Sequence, residues 1–131
     1  MNPPNLSYRV PYGKKEMVFE LPSGVTATLA ASRRIPVLPN PDAAISTALS
    51  HPVHSPPLRE LARSARSVCV VFTDITRACP DHSLVPALLH ELHSAGVQRE
   101  RITLLCATGM HRPSTLEEKI VKLGKEIVRD Y

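Results

Sequence analysis

Val68-Cys69-Val70-Val71-Phe72 runs through Thr73 into Asp74-Ile75-Thr76-Arg77. The apolar part is short, β-branched and bounded by polar residues, which predicts a strand buried in a parallel sheet, spanning Ser67 to Thr73. The pattern returns at Ile102-Thr103-Leu104-Leu105-Cys106, within a strand expected from Arg101 to Ala107. A second polar stretch, Gly109-Met110-His111-Arg112, follows it. Between the strands, Leu84, Val85, Leu88, Leu89 and Leu92 recur at helical spacing, predicting a helix from about His82 to Ser94 that ends at Gly96. Strand, helix, strand in this order implies a right-handed crossover and parallel strands.

Downstream, Ser114 is a natural N-cap, and Glu117 three positions later completes a capping box. The helix it opens runs to about Leu123 and stops at Gly124, and Glu126 to Asp130 reads as the start of a third strand. Upstream, Met17 to Leu21 and Val25 to Leu29 flank Pro22-Ser23-Gly24, which predicts a β-hairpin. A Pro-rich connection from Arg33 leads to a short helix from Pro41 to about Leu49. Another helix follows from Pro57 or Leu58 to about Ser64.

The expected fold class is therefore α/β: a partial, Rossmann-like parallel sheet with crossover helices, preceded by an N-terminal β-hairpin. Residues 1–131 read as one domain, with a hairpin and Pro-rich lead-in over 1–57 and a βαβα core over 58–131. So small a sheet is expected to be the opening part of a larger α/β domain, incomplete at its C-terminal side.

Composition narrows the function classes. A hydrophobic fraction of 43% and a charged fraction of 21% are those of an ordinary globular protein. The net charge of +4 comes from scattered Lys and Arg, with Lys14-Lys15 and Arg33-Arg34 as the only basic pairs. Nucleic-acid binding normally needs a clustered basic patch or stacking aromatics, and neither is present. No run approaches the ~18 apolar residues of a membrane span, and Met1 to Asn5 lacks a signal-peptide layout. Cys69, Cys79 and Cys106 are odd in number and lack CxxC spacing, which argues against a disulfide framework and for a reducing cytoplasm.

In open α/β sheets, ligands bind beyond the carboxyl ends of the strands. Asp74, Thr76, Arg77 and His111 stand there, about one βαβ unit apart, so successive strands should present both loops on one edge. Arg77 can clamp a carboxylate or phosphate with two parallel hydrogen bonds. Thr76 and free backbone amides can donate to the same anion, while Asp74 can orient Arg77 or accept from a ligand hydroxyl. His111, just ahead of a helix N-terminus, suits a general base. His90 and His93 share a helix face at i, i+3 but lack an evident third metal ligand, and Cys79 reads as a bystander thiol. Phosphate-loop and dinucleotide fingerprints are both missing.

At these residues the sequence resembles the N-terminal region of the nickel-pincer-dependent lactate racemase family. The stretches that carry the resemblance are Ser55-Pro56-Pro57-Leu58-Arg59-Glu60-Leu61, Phe72-Thr73-Asp74-Ile75-Thr76-Arg77 with Pro80, and Ala107-Thr108-Gly109-Met110-His111-Arg112 with Thr115 and Glu117-Glu118. The segment from Met17 to Leu29 also fits.

The resemblance implies an isomerase that racemises or epimerises 2-hydroxy acids with a nickel-bearing pyridinium bisthiocarboxylate mononucleotide. A histidine takes the hydroxyl proton while the α-hydrogen departs as hydride to the cofactor. By position, Asp74, Ile75, Thr76 and Arg77 resemble the cofactor-contacting loop, Arg77 also resembles the group that holds the substrate carboxylate, and His111 resembles one of two acid–base histidines. The family's second histidine, its cofactor-tethering lysine and its nickel-binding histidine fall further along than Tyr131. The implied partners are a small 2-hydroxy acid and the remainder of the enzyme, as a C-terminal part or an adjacent chain. The chain alone is then expected to be inactive, with the cofactor not held firmly and no metal ligand of its own. The alternative reading is a non-catalytic module for a small anion or nucleotide, or a degenerate remnant of the family.

Overall fold

The computed structural model describes residues 7–28, 30 and 32–131. It divides into two compact units, residues 1–36 and 37–131.

The first unit is a β-hairpin, β1 (Ser7–Tyr12) antiparallel to β2 (Lys15–Glu20). Its turn is Gly13-Lys14, with Gly13 at φ 60°, a left-handed value that glycine adopts without strain. Tyr8 faces Phe19 across the strands with ring centroids 5.8 Å apart, and Arg9 lies 3.5 Å from Glu16. The hairpin thus forms earlier in the chain than Pro22-Ser23-Gly24 suggests. That turn does close, with the Val25 amide donating to the Pro22 carbonyl at 3.2 Å. Residues 25–28 nevertheless form no strand, and Leu29 lies outside the described residues. The two-residue Gly13-Lys14 turn matches strand twist better, so residues 15–20 pair backward with β1.

The second unit is built on β3 (Val68–Thr73) and β4 (Ile102–Ala107), parallel and in register from Val68 opposite Ile102 to Thr73 opposite Ala107. The crossover is α3 (Asp81–Ser94), followed by a single 3-10 turn at Arg99–Arg101. α3 ends in a Schellman motif: Gly96 donates to the His93 carbonyl and Val97 to that of Leu92, with Gly96 at φ 89°. Two helices precede the sheet, α1 (Pro41–Ser50) and α2 (Leu58–Arg63). The Asn40 side chain caps α1, and a two-pronged Arg59–Glu91 pair at 3.1 and 3.0 Å ties α2 to α3.

Leu92 and Val85 of α3 are the most deeply buried side chains, packed in one cluster with Val70, Phe72, Ile102 and Leu123. Within this unit only one sheet face is covered. Val70 and Phe72 point inward while Val71 and Leu105 remain 59% and 53% exposed. The expectation of strands buried on both faces thus holds for one face only. α3 packs against α4 (Leu116–Leu123), and α4 contributes Leu123 to the same core, so both flank one side.

Two further expectations shift. The capping box of α4 is Thr115 with Glu118, one residue later than Ser114 with Glu117, because Arg112 grips the Glu118 carboxylate. Glu126 to Asp130 lies in a helix, α5 (Lys125–Asp130), and not in a third strand. Helical spacing there turns Ile127, Val128 and Tyr131 together onto the core, which an alternating strand cannot do. Among the described residues no helix is long and apolar enough to cross a membrane.

Candidate functional site

Register builds the site. Because Thr73 pairs with Ala107, the chain leaves both strands at the same level, and Asp74 and Thr108 begin neighbouring loops. The first loop is a tight turn, with the Arg77 amide donating to the Asp74 carbonyl at 3.1 Å. Asp74 Oδ1 accepts from the Thr76 amide at 2.9 Å and from the Thr76 hydroxyl at 2.6 Å, an Asx turn. In the second loop, Gly109 takes φ 57° and the His111 amide donates to the Thr108 carbonyl at 3.0 Å, which folds the histidine back over the first loop.

His111 Nδ1 and Asp74 Oδ2 are 2.5 Å apart. Asp74 is only 3% exposed. Hydrogen bonds from Thr76 and then from His111 hold its carboxyl down from the usual 3.8 to about 2. An ionised carboxylate can only accept, so Nδ1 carries a proton, and in the neutral ring Nε2 is the nitrogen with the lone pair. The imidazole stays 44% exposed, and Nε2 has no partner among the described residues. This arrangement can take a proton from a bound hydroxyl and return it.

The cleft between the loops is lined by Asp74, Ile75, Thr76, His111, Ser114 and the Arg112–Glu118 pair. That pair is two-pronged, with contacts of 2.6 and 2.9 Å. Arg112 holds the Glu118 carboxyl down to about 2, and Glu118 also accepts from the Thr115 amide. Arg112 therefore closes the capping box and is not free for a ligand. Arg77 differs: it is exposed, with no side-chain partner among the described residues, and it lies outside the lining of this cleft.

The loops thus come together as the sequence suggests, with different internal pairings. Asp74 serves His111 instead of Arg77. The Thr76 hydroxyl and amide are spent on Asp74, and the Arg77 amide closes the turn, so the guanidinium is the loop's free cation. His93 is structural: Nδ1 donates to the Val97 carbonyl at 2.9 Å and Nε2 accepts from the Tyr131 hydroxyl at 2.5 Å. Burial and the Asp81 carboxylate push the Cys79 thiol up, away from a nucleophilic thiolate.

Sequence reasoning missed Asp81 and Lys122, buried at the foot of the first loop, 4% and 7% exposed. Lys122 is placed in the last turn of an amphipathic helix, where lysines usually meet solvent, so no sequence signal marks it.

A parallel βαβ unit with a carboxylate-oriented histidine and an exposed arginine on adjoining loops defines an α/β domain of the kind that places polar loops beyond its strand ends. A sequence model of the lactate racemase N-terminal domain matches residues 12–131, and the chain belongs to that family. It is 41% identical over 86 residues to a lactate racemase of Lactiplantibacillus plantarum, covering 66% of this chain and 20% of that protein. With a lactate racemase of Thermoanaerobacterium thermosaccharolyticum the identity is 29% over 125 residues, 92% of this chain and 29% of the relative. Its fold matches the solved lactate racemase apoprotein from Thermoanaerobacterium thermosaccharolyticum with a TM-score of 0.75 at 27% identity, over 94% of this chain and 28% of that one. The chain spans less than a third of the length of these relatives.

Proposed function

We propose that this chain supplies one wall of the active site of a lactate-type 2-hydroxy-acid racemase. His111 exchanges the substrate hydroxyl proton and Arg77 holds the carboxylate. The observation that carries this reading is the Asp74–His111 pair, which orients the ring and leaves Nε2 open. Removing the hydroxyl proton while the carboxylate is held still is a positioning task that suits a histidine and an arginine. The remainder of the enzyme is the partner, and the uncovered sheet face with Val71 and Leu105 is apolar surface suited to meeting it.

The nickel-pincer nucleotide of the family fits this stretch in part. The exposed Arg77 guanidinium suits the anionic portion of a nucleotide, with Asp74, Ile75 and Thr76 shaping the loop around it. No group of three His, Cys, Asp or Glu side chains able to hold a metal occurs among the described residues. When bound, the cofactor supplies a hydride acceptor. Cys69, Cys79 and Cys106 are free thiols, which supports a cytoplasmic setting.

The test is a chimaera in which residues 12–131 replace the matching region of the Thermoanaerobacterium enzyme. Racemisation of lactate by the cofactor-loaded chimaera is the expected result. A folded, loaded chimaera without turnover overturns the reading, and calorimetry with lactate, phosphate and nucleotides then tests the binding-module alternative.

A further inference from the structure

The loop from Asp74 to Pro80 is held by a buried polar cluster that the proton chemistry does not use. Thr73, the last residue of β3, donates its hydroxyl to Asp81 Oδ2 at 2.5 Å, and Asp81 is the first residue of α3. The two ends of the loop are thus joined side chain to side chain. Lys122 Nζ, arriving from α4, lies 2.8 Å from the same Asp81 oxygen. It also donates to the Arg77 carbonyl at 2.9 Å and to the Cys79 carbonyl at 3.0 Å. An ammonium has three N–H donors, and here each has an acceptor.

We propose that Lys122 is a positioning residue for the candidate site: it pins the backbone of Arg77 and Cys79 to α4, with Asp81 and Thr73 fixing the ends of the same loop. This rests on the racemase reading only for what the loop is used for. A buried ion pair is a poor device for stability, since well-packed apolar side chains often do as well in its place. Two loop carbonyls are another matter, because an apolar side chain cannot satisfy them. The Arg77 backbone is fixed at both ends, its amide on Asp74 and its carbonyl on Lys122. An arginine carried on a fixed backbone loses less freedom when it grips an anion. The same pin sets the height of Asp74 against the second loop, on which the contact with His111 depends.

The experiment uses the labelled 131-residue chain in solution. In the unaltered protein, couplings across the hydrogen bonds from Lys122 Nζ to the carbonyl carbons of Arg77 and Cys79 are expected. A rapidly exchanging, uncoupled ammonium overturns the proposal whether or not any variant folds. The second arm compares Lys122→Met with Lys122→Met/Asp81→Asn, which leaves no unpaired buried charge. In whichever variant folds, the Asp74 carboxyl midpoint, about 2 at the start, rises by about one pH unit toward the usual carboxylate value, and the Arg77 and His111 amides shift. The groups around Asp74, namely Thr76, His111, Arg112 and Glu118, are untouched, so its midpoint reports loop position. A purely structural lysine would lower the melting temperature with the Asp74 midpoint unchanged, which contradicts the proposal. An inactive chimaera with the couplings intact would overturn the racemase reading alone.

Discussion

Asp74 Oδ2 and His111 Nδ1 meet at 2.5 Å across two loops that leave parallel strands at paired positions. The carboxylate fixes both the tautomer and the orientation of the ring, as a second group commonly does for an acid–base histidine. Asp74→Asn keeps the shape but offers an amide where only an acceptor fits. In the chimaera it is expected to lower kcat roughly 10²-fold or more, with a smaller effect on KM. Steady-state racemisation kinetics measure both.

Arg77 is expected to act through binding. A charged hydrogen-bonding pair is worth about 1.5–3 kcal/mol, so Arg77→Ala should raise KM roughly 10- to 100-fold. Arg77→Lys recovers only part of this, because an ammonium cannot form the two-pronged contact. A KM unchanged in Arg77→Ala argues against the carboxylate role.

The junction of the loops has a defined acid limit. Asp74 and Glu118 are both held down to about 2 in the folded chain, by Thr76 and His111 in one case and mainly by Arg112 in the other. Depressed carboxyl values give stability that is full above the unfolded values near 4 and lost as the pH falls through about 2. The Glu118 carboxyl and Arg112 guanidinium resonances are therefore expected to hold constant from pH 7 to about 4.5 and to move between about 4 and 2. Loss of the contacts already at pH 5 would contradict these pairings.

Core and open face should respond differently to truncation. Leu92 is among the most buried side chains, and Leu92→Ala is expected to cost about 2–5 kcal/mol. Val71→Ala, on the uncovered sheet face, should cost under about 1 kcal/mol in the isolated chain. Denaturant unfolding distinguishes the two.

Much of this was legible in the sequence where local chemistry decides structure. The apolar runs at Val68–Phe72 and Ile102–Cys106, the leucine face of α3 and the stops at Gly96 and Gly124 all formed as their residues indicate. The strand order placed both polar loops on one edge. What escaped the reading depends on contacts between distant residues. Whether Asp74 serves Arg77 or His111 turns on strand register, and Lys122 looks like any surface lysine until α4 packs beneath the first loop. Glu126 to Asp130 has a strand-like composition, but Ile127, Val128 and Tyr131 gain burial only in a helix. The hairpin was displaced because two glycine turns competed and the tighter one won.

The central claim is that His111 handles the substrate's proton. The most direct measurement is lactate racemisation, by chiral separation, for the cofactor-loaded chimaera with and without His111→Asn, with circular dichroism to verify the fold. The account predicts a fall of roughly 10²-fold or more with the fold unchanged. Turnover within about a factor of three of the parent would contradict it.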